Sequence, residues 1–456
     1  MYLDESFNRK ALGRFFRKMA RLKNEIHTLQ IWQQGKPVLR VAQAPYRCDT
    51  PREVYSLSKT FTSTVVGIAA DRGLLSPEDP VLKFFPEIRT EDPHFQAMRV
   101  RHLLSMNTGH DACVMPHMIR AEKAAEGFFL VPPVHAPGSF FCYNSGATCL
   151  LGIIVSRVTG MDFFDYACEN LFYPLGIRNV RWSRCHDGSC QCATGLQISN
   201  DDIIKLGLLY QNGGLYEGRQ ILSEDWIRAA TSVVSDNSDN GPPDWSSGYG
   251  YQIWINRRNG YRGDGACGQL CLVLPKYDAV VAVQAKNTDI MQTEVDAVFD
   301  LLEGVTNEEE DLPALAFQPW PRQEQIPEFS GAFSLSENPM GLRTAYVTVS
   351  PEALELSFSD GKEIQTLRAG NGHWARTAFR ARHLSPVLLS IMTPEHPEPL
   401  EAAACFRFRA GKWELFLRWL TNPQSEVLTL TLEKDRFCLE FPTQYRQNPP
   451  LLGTGI

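Results

Sequence analysis

Residues 56–73 read SLSKTFTSTVVGIAADRG, and they decide how the rest of the chain is understood. The pattern is that of a helix running from Ser56 to about Gly73, with Ser56-Leu57-Ser58-Lys59 at its start. A spacing of i to i+3 puts the Ser56 hydroxyl and the Lys59 amine on one helix face, within reach of each other. A serine hydroxyl is a poor nucleophile until a neighbouring base takes its proton. A lysine can be that base only when neutral, a form favoured by burial and by nearby positive potential. The helix N-terminus supplies such potential and also stabilises a developing oxyanion. Alone, the same four residues read better as a capping serine followed by a surface lysine.

Two further segments keep them company. Downstream stand Phe141-Cys142-Tyr143-Asn144-Ser145-Gly146-Ala147-Thr148-Cys149-Leu150-Leu151-Gly152 and then Tyr261-Arg262-Gly263-Asp264-Gly265-Ala266-Cys267-Gly268-Gln269. The second contains a literal GxGxxG, but a strand pattern follows it where a dinucleotide site needs a helix, so that reading fails. HExxH, GxSxG and P-loop motifs are missing from the sequence. Val100-Arg101-His102-Leu103-Leu104-Ser105-Met106-Asn107-Thr108-Gly109 lies between the first two segments. Gly195-Leu196 through Asp202, Leu206-Gly207 and Gly213-Gly214 lies between the second and third.

In this order the five segments resemble the serine β-lactamase and penicillin-binding protein superfamily. The likeness is strongest to its class C β-lactamase-like branch of esterases, amidases, D-amino-acid peptidases and 6-aminohexanoate-dimer hydrolase, over most of residues 25–300. The resemblance implies an α/β (α+β) fold: an antiparallel sheet flanked by helices, with an all-helical lobe. It implies Ser56 as acylated nucleophile, Lys59 as its base and Tyr143 as proton shuttle to the leaving group. Ser145 falls where many relatives carry Asn, and a Tyr-x-Ser version is similar to the aminohexanoate-hydrolase branch. Asn144 is one position early and does not inherit that role. The implied oxyanion hole is the Ser56 N–H with an N–H near Gly265 or Ala266, where small residues let a carbonyl approach the backbone. No metal or organic cofactor is needed. Trp245, Tyr249, Tyr251 and Trp254 read either as pocket lining or as core. His110, His117 and His135 read as solvated loop residues, Asp264 as a turn residue, and Cys142 and Cys267 as thiols near the pocket.

Further out, residues 5–22 carry apolar side chains at helical spacing, and His27 to Ala42 reads as two strands around Gly35-Lys36-Pro37. Ala147–Gly160 and Asp201–Asn212 read as helices, and Leu270–Val283 as buried antiparallel strands turning at residues 275–278. The texture changes near residue 305. A charge run, Glu308-Glu309-Glu310-Asp311, precedes a Pro-rich stretch that reads as a linker. Beyond it come short strand patterns: 344–350, 354–359, 387–392, 404–409, 413–420, 427–432 and 437–441. They predict an all-β sandwich or barrel. The expected organisation is a catalytic domain over 1–305, a linker over 306–327 and a C-terminal β domain over 328–456. That last domain would cap the site or mediate a homodimer.

Composition sets the outer limits. The 456 residues are 43% hydrophobic and 21% charged, ordinary for a globular chain. A balance of 45 Lys+Arg against 52 Asp+Glu gives a net charge of −7, which argues against a nucleic-acid partner. No window nears 18 uninterrupted apolar residues, so no membrane partner is expected. The first ten residues lack the pattern of a secretory signal, and a cytoplasmic location is expected. The 12 cysteines read mostly as small buried thiols. Cys185, His186, Cys190 and Cys192 cluster, but without the usual zinc spacing.

The third segment narrows the substrate. Relatives acting on β-lactams present a lysine there to the substrate carboxylate. This chain has Arg262, whose fork suits a carboxylate, with an acid two residues on. The expected substrate is a small amide, short peptide or ester. The alternatives are a β-lactamase or D,D-carboxypeptidase and, from another class, a non-catalytic sensor or binding protein of the same fold.

Overall fold

The computed structural model describes residues 1–287, 291–306, 313–379, 400–441 and 449–456. They divide into two compact units. One is built from Met1–Ala42 and Arg47–Leu315, the other from Gln43–Tyr46 and the described chain from Ala316 onward.

The first unit is organised on one sheet. Helix α1 (Arg9–Arg21) starts where the Asn8 side chain accepts hydrogen bonds from the Lys10 and Ala11 amides. It buries Leu12, Phe15, Phe16 and Met19, the apolar residues spaced for a helix in the sequence. The strands are β1 (Tyr2–Leu3), β2 (Glu25–Gln33), β3 (Lys36–Ala42), β4 (Trp254–Asn256), β5 (Gly260–Gly265), β6 (Gln269–Leu274) and β7 (Ala279–Lys286). They lie in the order β1-β3-β2-β7-β6-β5-β4, antiparallel throughout. Strand alternation sorts their side chains to two faces. Leu270, Leu272, Val281 and Val283 pack with α1 and a C-terminal helix, α5 (Gln292–Leu302). Cys271, Val273, Val280 and Ala282 join the other core, which contains α2 (Ser58–Asp71), α3 (Ser145–Thr159) and α4 (Asn200–Gln211). With helices on both faces, β6 is buried at every residue. Residues 275–278 turn as expected, with Asp278 at φ 44°.

The helical lobe differs from expectation in detail. Short helices at Val100–Leu104, Met115–Arg120 and Ala124–Phe129 pack on α3, and another at Pro93–Ala97 packs on the turn Val81–Phe84. Each is under two turns, too short for helical periodicity to register in a sequence window. No single helix among the described residues is long and apolar enough to cross a membrane.

The second unit is a barrel. Its strands are β8 (Phe329–Leu335), β9 (Thr344–Val349), β10 (Ala353–Ser359), β11 (Ile364–Asn371), β12 (Ala375–Phe379), β13 (Leu400–Arg409), β14 (Lys412–Trp419), β15 (Ser425–Glu433), β16 (Arg436–Glu440) and β17 (Leu451–Gly455). Neighbours run β11-β10-β9-β8-β17-β16-β15-β14-β13-β12. Gly370 and Asn371 of β11 also pair in parallel with Cys405 and Phe406 of β13, which closes the ring. Closure removes exposed sheet edges and encloses Phe333, Val347, Leu356, Phe406, Leu415 and Phe437. Gln43–Tyr46 belongs to this unit because Ala44 bridges Ala316, and Tyr46 packs edge-on against Phe317, with ring centroids 5.8 Å apart. The expected strand at 387–392 and the charge run at 308–311 lie outside the described residues.

Candidate active site

Ser56 is presented by a sharp turn. Residues Tyr55–Leu57 form one 3-10 turn, with Tyr55 at φ 49°, and α2 follows from Ser58. The helix therefore starts two residues later than the sequence pattern suggests. Left-handed backbone at a bulky residue is strained and persists only where surrounding structure enforces it. Here Tyr55 is buried and its carbonyl accepts the Ser58 hydroxyl at 2.5 Å. In the run 51–60 only Ser56 keeps partial exposure.

Lys59 is 2% exposed. Its Nζ donates to Ser56 Oγ at 2.9 Å and to the Ala193 carbonyl at 2.8 Å, and lies 4.9 Å from the Tyr143 ring centroid. Burial disfavours the ammonium form and lowers the amine to about 8, against the pull of nearby groups including Asp264. Tyr143 also hydrogen-bonds Ser56, and burial pushes its phenol up, with Asp264 adding to the rise. The Tyr143 ring stacks on Trp254 at 5.4 Å and 17°. The structure thus brings Ser56, Lys59 and Tyr143 together around one hydroxyl oxygen.

Ser145 stands half-buried as the first residue of α3. Asn144 caps that helix, its Oδ1 accepting from the Gly146 amide at 3.0 Å and the Val114 amide at 3.1 Å. It is a structural residue, as its offset in sequence implies.

The third segment is a hairpin, β5 to β6, turned by Ala266, Cys267 at φ 64° and Gly268 at φ 82°. Gly263 faces Leu57 and Thr60, and Gly265 faces the turn at Val54–Leu57. A Cβ on Gly265 would lie 2.0 Å from the Val54 carbonyl and 3.1 Å from the Ser56 nitrogen, so only glycine allows this approach. Ala266 is exposed just beyond. Arg262 departs from the expected role of a cation open to a substrate carboxylate. It is 1% exposed, and its Nε and Nη2 each reach Asp264 Oδ2 at 3.0 Å. Asp264 is likewise no turn residue: it is buried in the strand, because i and i+2 side chains share a face.

Trp254, Tyr249 and Met106 form a small core with Phe141, Tyr143 and Trp245 against it. Tyr251 lies elsewhere, packed on Trp226 at 5.4 Å. His110 is no solvated loop residue: it is buried between the Thr108 hydroxyl and the Val131 carbonyl, each at 2.8 Å. His117 is exposed, and His135 stacks on Phe140 at 4.3 Å. Cys142 and Cys267 are half-buried. No group of three or more candidate ligands for a metal occurs among the described residues, Cys185, His186, Cys190 and Cys192 included. All 12 cysteines are free thiols.

The sequence reading missed the support of Lys59. The segment Gln191–Ala193 is held by Cys149, whose thiol donates to the Gln191 carbonyl at 2.8 Å, and by Thr62, whose hydroxyl donates to the Cys192 carbonyl at 2.8 Å. Cys192 sits at φ 42°, its sulfur in the notch left by Gly152. Gln252, at φ 60°, ties three elements together. Its carbonyl accepts from Thr60, its side-chain oxygen from Thr148, and its amide donates to the Leu103 and Leu104 carbonyls. Backbone carbonyls and a lone glutamine leave no mark in a motif search.

Comparison with known proteins agrees with this architecture. The family model described as Beta-lactamase matches residues 25–303. The 6-aminohexanoate-dimer hydrolase of Paenarthrobacter ureafaciens is 23% identical over 266 residues, covering 52% of this chain and 67% of that one. A beta-lactamase of Yersinia enterocolitica is 23% identical over 188 residues, so the match spans 41% of this chain and only 47% of that relative. The structure of the octameric penicillin-binding protein homologue from Pyrococcus abyssi aligns over 97% of this chain and 99% of its own, with a TM-score of 0.54 and 16% identity. At that identity the likeness is one of fold.

Proposed function

Because the chain belongs to the beta-lactamase family, we propose that it is a serine hydrolase that cleaves a small amide, peptide or ester through an acyl-enzyme. Neutral Lys59 takes the Ser56 proton as the hydroxyl oxygen attacks the substrate carbonyl. The oxyanion is held by the Ser56 N–H and an N–H at Gly265 or Ala266. Tyr143 passes a proton to the leaving group and recovers one from the Lys59 ammonium, the carbon–heteroatom bond breaks, and Ser56 is left acylated. Water activated by the same pair then releases the acid and restores the hydroxyl. The observation that carries this reading is the 2.9 Å contact from a buried, weakly basic Lys59 to Ser56.

The test is labelling with a fluorophosphonate and turnover of a p-nitrophenyl ester. Ser56→Ala and Lys59→Ala are each expected to lower kcat by about 10⁴-fold or more, because nucleophile and base act as one unit. Near wild-type rates in Lys59→Ala would reject the mechanism. Failure of Ser56 to accept any acylating probe would favour a binding protein.

A further inference from the structure

A cation beside the nucleophile selects substrates that carry a carboxylate, and the third segment supplies Arg262 in that place. Its guanidinium is buried, with Nε and Nη1 hydrogen-bonded inside the protein and Nη2 against Asp264 without a hydrogen bond. Nε and Nη2 meet Asp264 Oδ2, and Nη1 donates to the Asp244 carbonyl at 2.7 Å and to Asn256 Oδ1. Its flat face lies 4.0 Å from the Trp245 ring centroid. Asp264 also accepts a hydrogen bond from the Trp254 side chain and interacts electrostatically with Lys59. Trp254 in turn stacks on Tyr143, and Tyr249 meets it edge-on at 4.8 Å. The arginine is thus neutralised by its own strand and covered by the aromatic group that borders the nucleophile.

Resting on the serine-hydrolase reading, we infer that the Arg262–Asp264 pair makes this site selective for acyl compounds that are uncharged beside the scissile carbonyl, with an apolar group against Tyr143 and Trp254, and that it rejects carboxylates there. An anion entering this site would lose its water beside an acidic side chain, with the arginine already paired. An apolar group meets the half-buried Tyr143 ring, which Trp254 backs. On this account the pair occupies the place of a carboxylate clamp and reverses its preference.

The test compares two p-nitrophenyl esters of glutaric acid, one with the far carboxyl free and one with it methylated. Wild-type enzyme is expected to favour the methylated ester by about 30-fold or more in kcat/KM, a difference that separates uncharged from charged partners of a built site. Asp264→Asn, which leaves Arg262 uncompensated, is expected to narrow that preference by about 10-fold. Equal kcat/KM for the two esters in the wild type overturns the inference while leaving the hydrolase reading intact. An unchanged preference in a folded Asp264→Asn overturns the assigned cause. The wild-type ratio needs no variant, so poor folding of Asp264→Asn does not blunt the test. If neither ester is cleaved in a Ser56-dependent way, the hydrolase reading itself fails.

Discussion

At the scale of single residues, the site depends on one amine being unusually easy to deprotonate. Burial brings Lys59 down from 10.5 to about 8, while Asp264 pulls the other way. As the proposed base Lys59 acts only when neutral, so kcat is expected to climb as pH rises through about 8 and to level off above it. Removing the Asp264 charge takes away a force favouring the ammonium form, so Asp264→Asn is expected to move this limb to lower pH. A pH–kcat profile of both enzymes checks the direction, and a limb that stays put or moves up would contradict it. Tyr143 offers a second test. Its phenol is pushed up by burial and stays protonated, as the proposed donor to a leaving amine must. A p-nitrophenolate leaves without that help. Tyr143→Phe is therefore expected to slow amide cleavage about 10- to 100-fold more than cleavage of a p-nitrophenyl ester. Equal losses on both substrates would remove the proton-shuttle role.

Among the elements, the ones that could be read from sequence are those whose pattern repeats over their length. Helix α1 shows an apolar stripe, and β14 and β15 alternate in and out of the barrel. Helix α2 reads as a helix over 56 to about 73 but is buried on nearly every side, so its start, two residues later than the pattern suggests, was not legible. The lobe's short helices and strand β11, with its exposed start and Gly-Asn end, lack such patterns. Ser56, Lys59 and Tyr143, the proposed nucleophile, base and proton shuttle, were legible as motifs. The Ala193 carbonyl and the Arg262–Asp264 pairing depend on how strands and loops meet, which spacing does not encode. Strand β5 shows what such meetings demand. Its Gly265 passes so close to Val54 and Ser56 that an added methyl displaces either the strand or the nucleophile turn. Gly265→Ala is expected to lower kcat by about 100-fold or more through misplacement of the oxyanion donors. The control is circular dichroism, which should show the sheet retained. A Gly265→Ala enzyme with unchanged kcat would remove β5 from the oxyanion site.

For the whole molecule, Glu294 and Glu53 are among the acids that the first unit buries. Glu294 on α5 is 0% exposed, its Oε2 accepting from Asn287 at 3.0 Å, and Glu53 before the nucleophile turn is 4% exposed. Burial raises each to about 8, from 4.5 in a solvated chain. The folded state therefore binds these protons more tightly than the unfolded chain does. The sign follows from linkage. Below about 4.5 both states are protonated and the full stability is present. Between 4.5 and about 8 the unfolded chain releases protons that the folded state retains, so stability falls as pH rises through this window and levels off above it. A glutamine at residue 294 keeps the neutral shape and an oxygen for Asn287 without this linkage. Glu294→Gln is thus expected to flatten the decline, raising Tm at pH 8 by several degrees, at about 2–4 °C per kcal/mol for a unit of this size, with little change near pH 5. Calorimetric melting of both proteins across pH 5–9 reads the difference, and parallel Tm curves would show that Glu294 is ionised in the folded protein. The barrel contributes neither of these two acids, so the shift should belong to the melting of the first unit, where the loss of p-nitrophenyl ester hydrolysis reports unfolding independently of heat absorption.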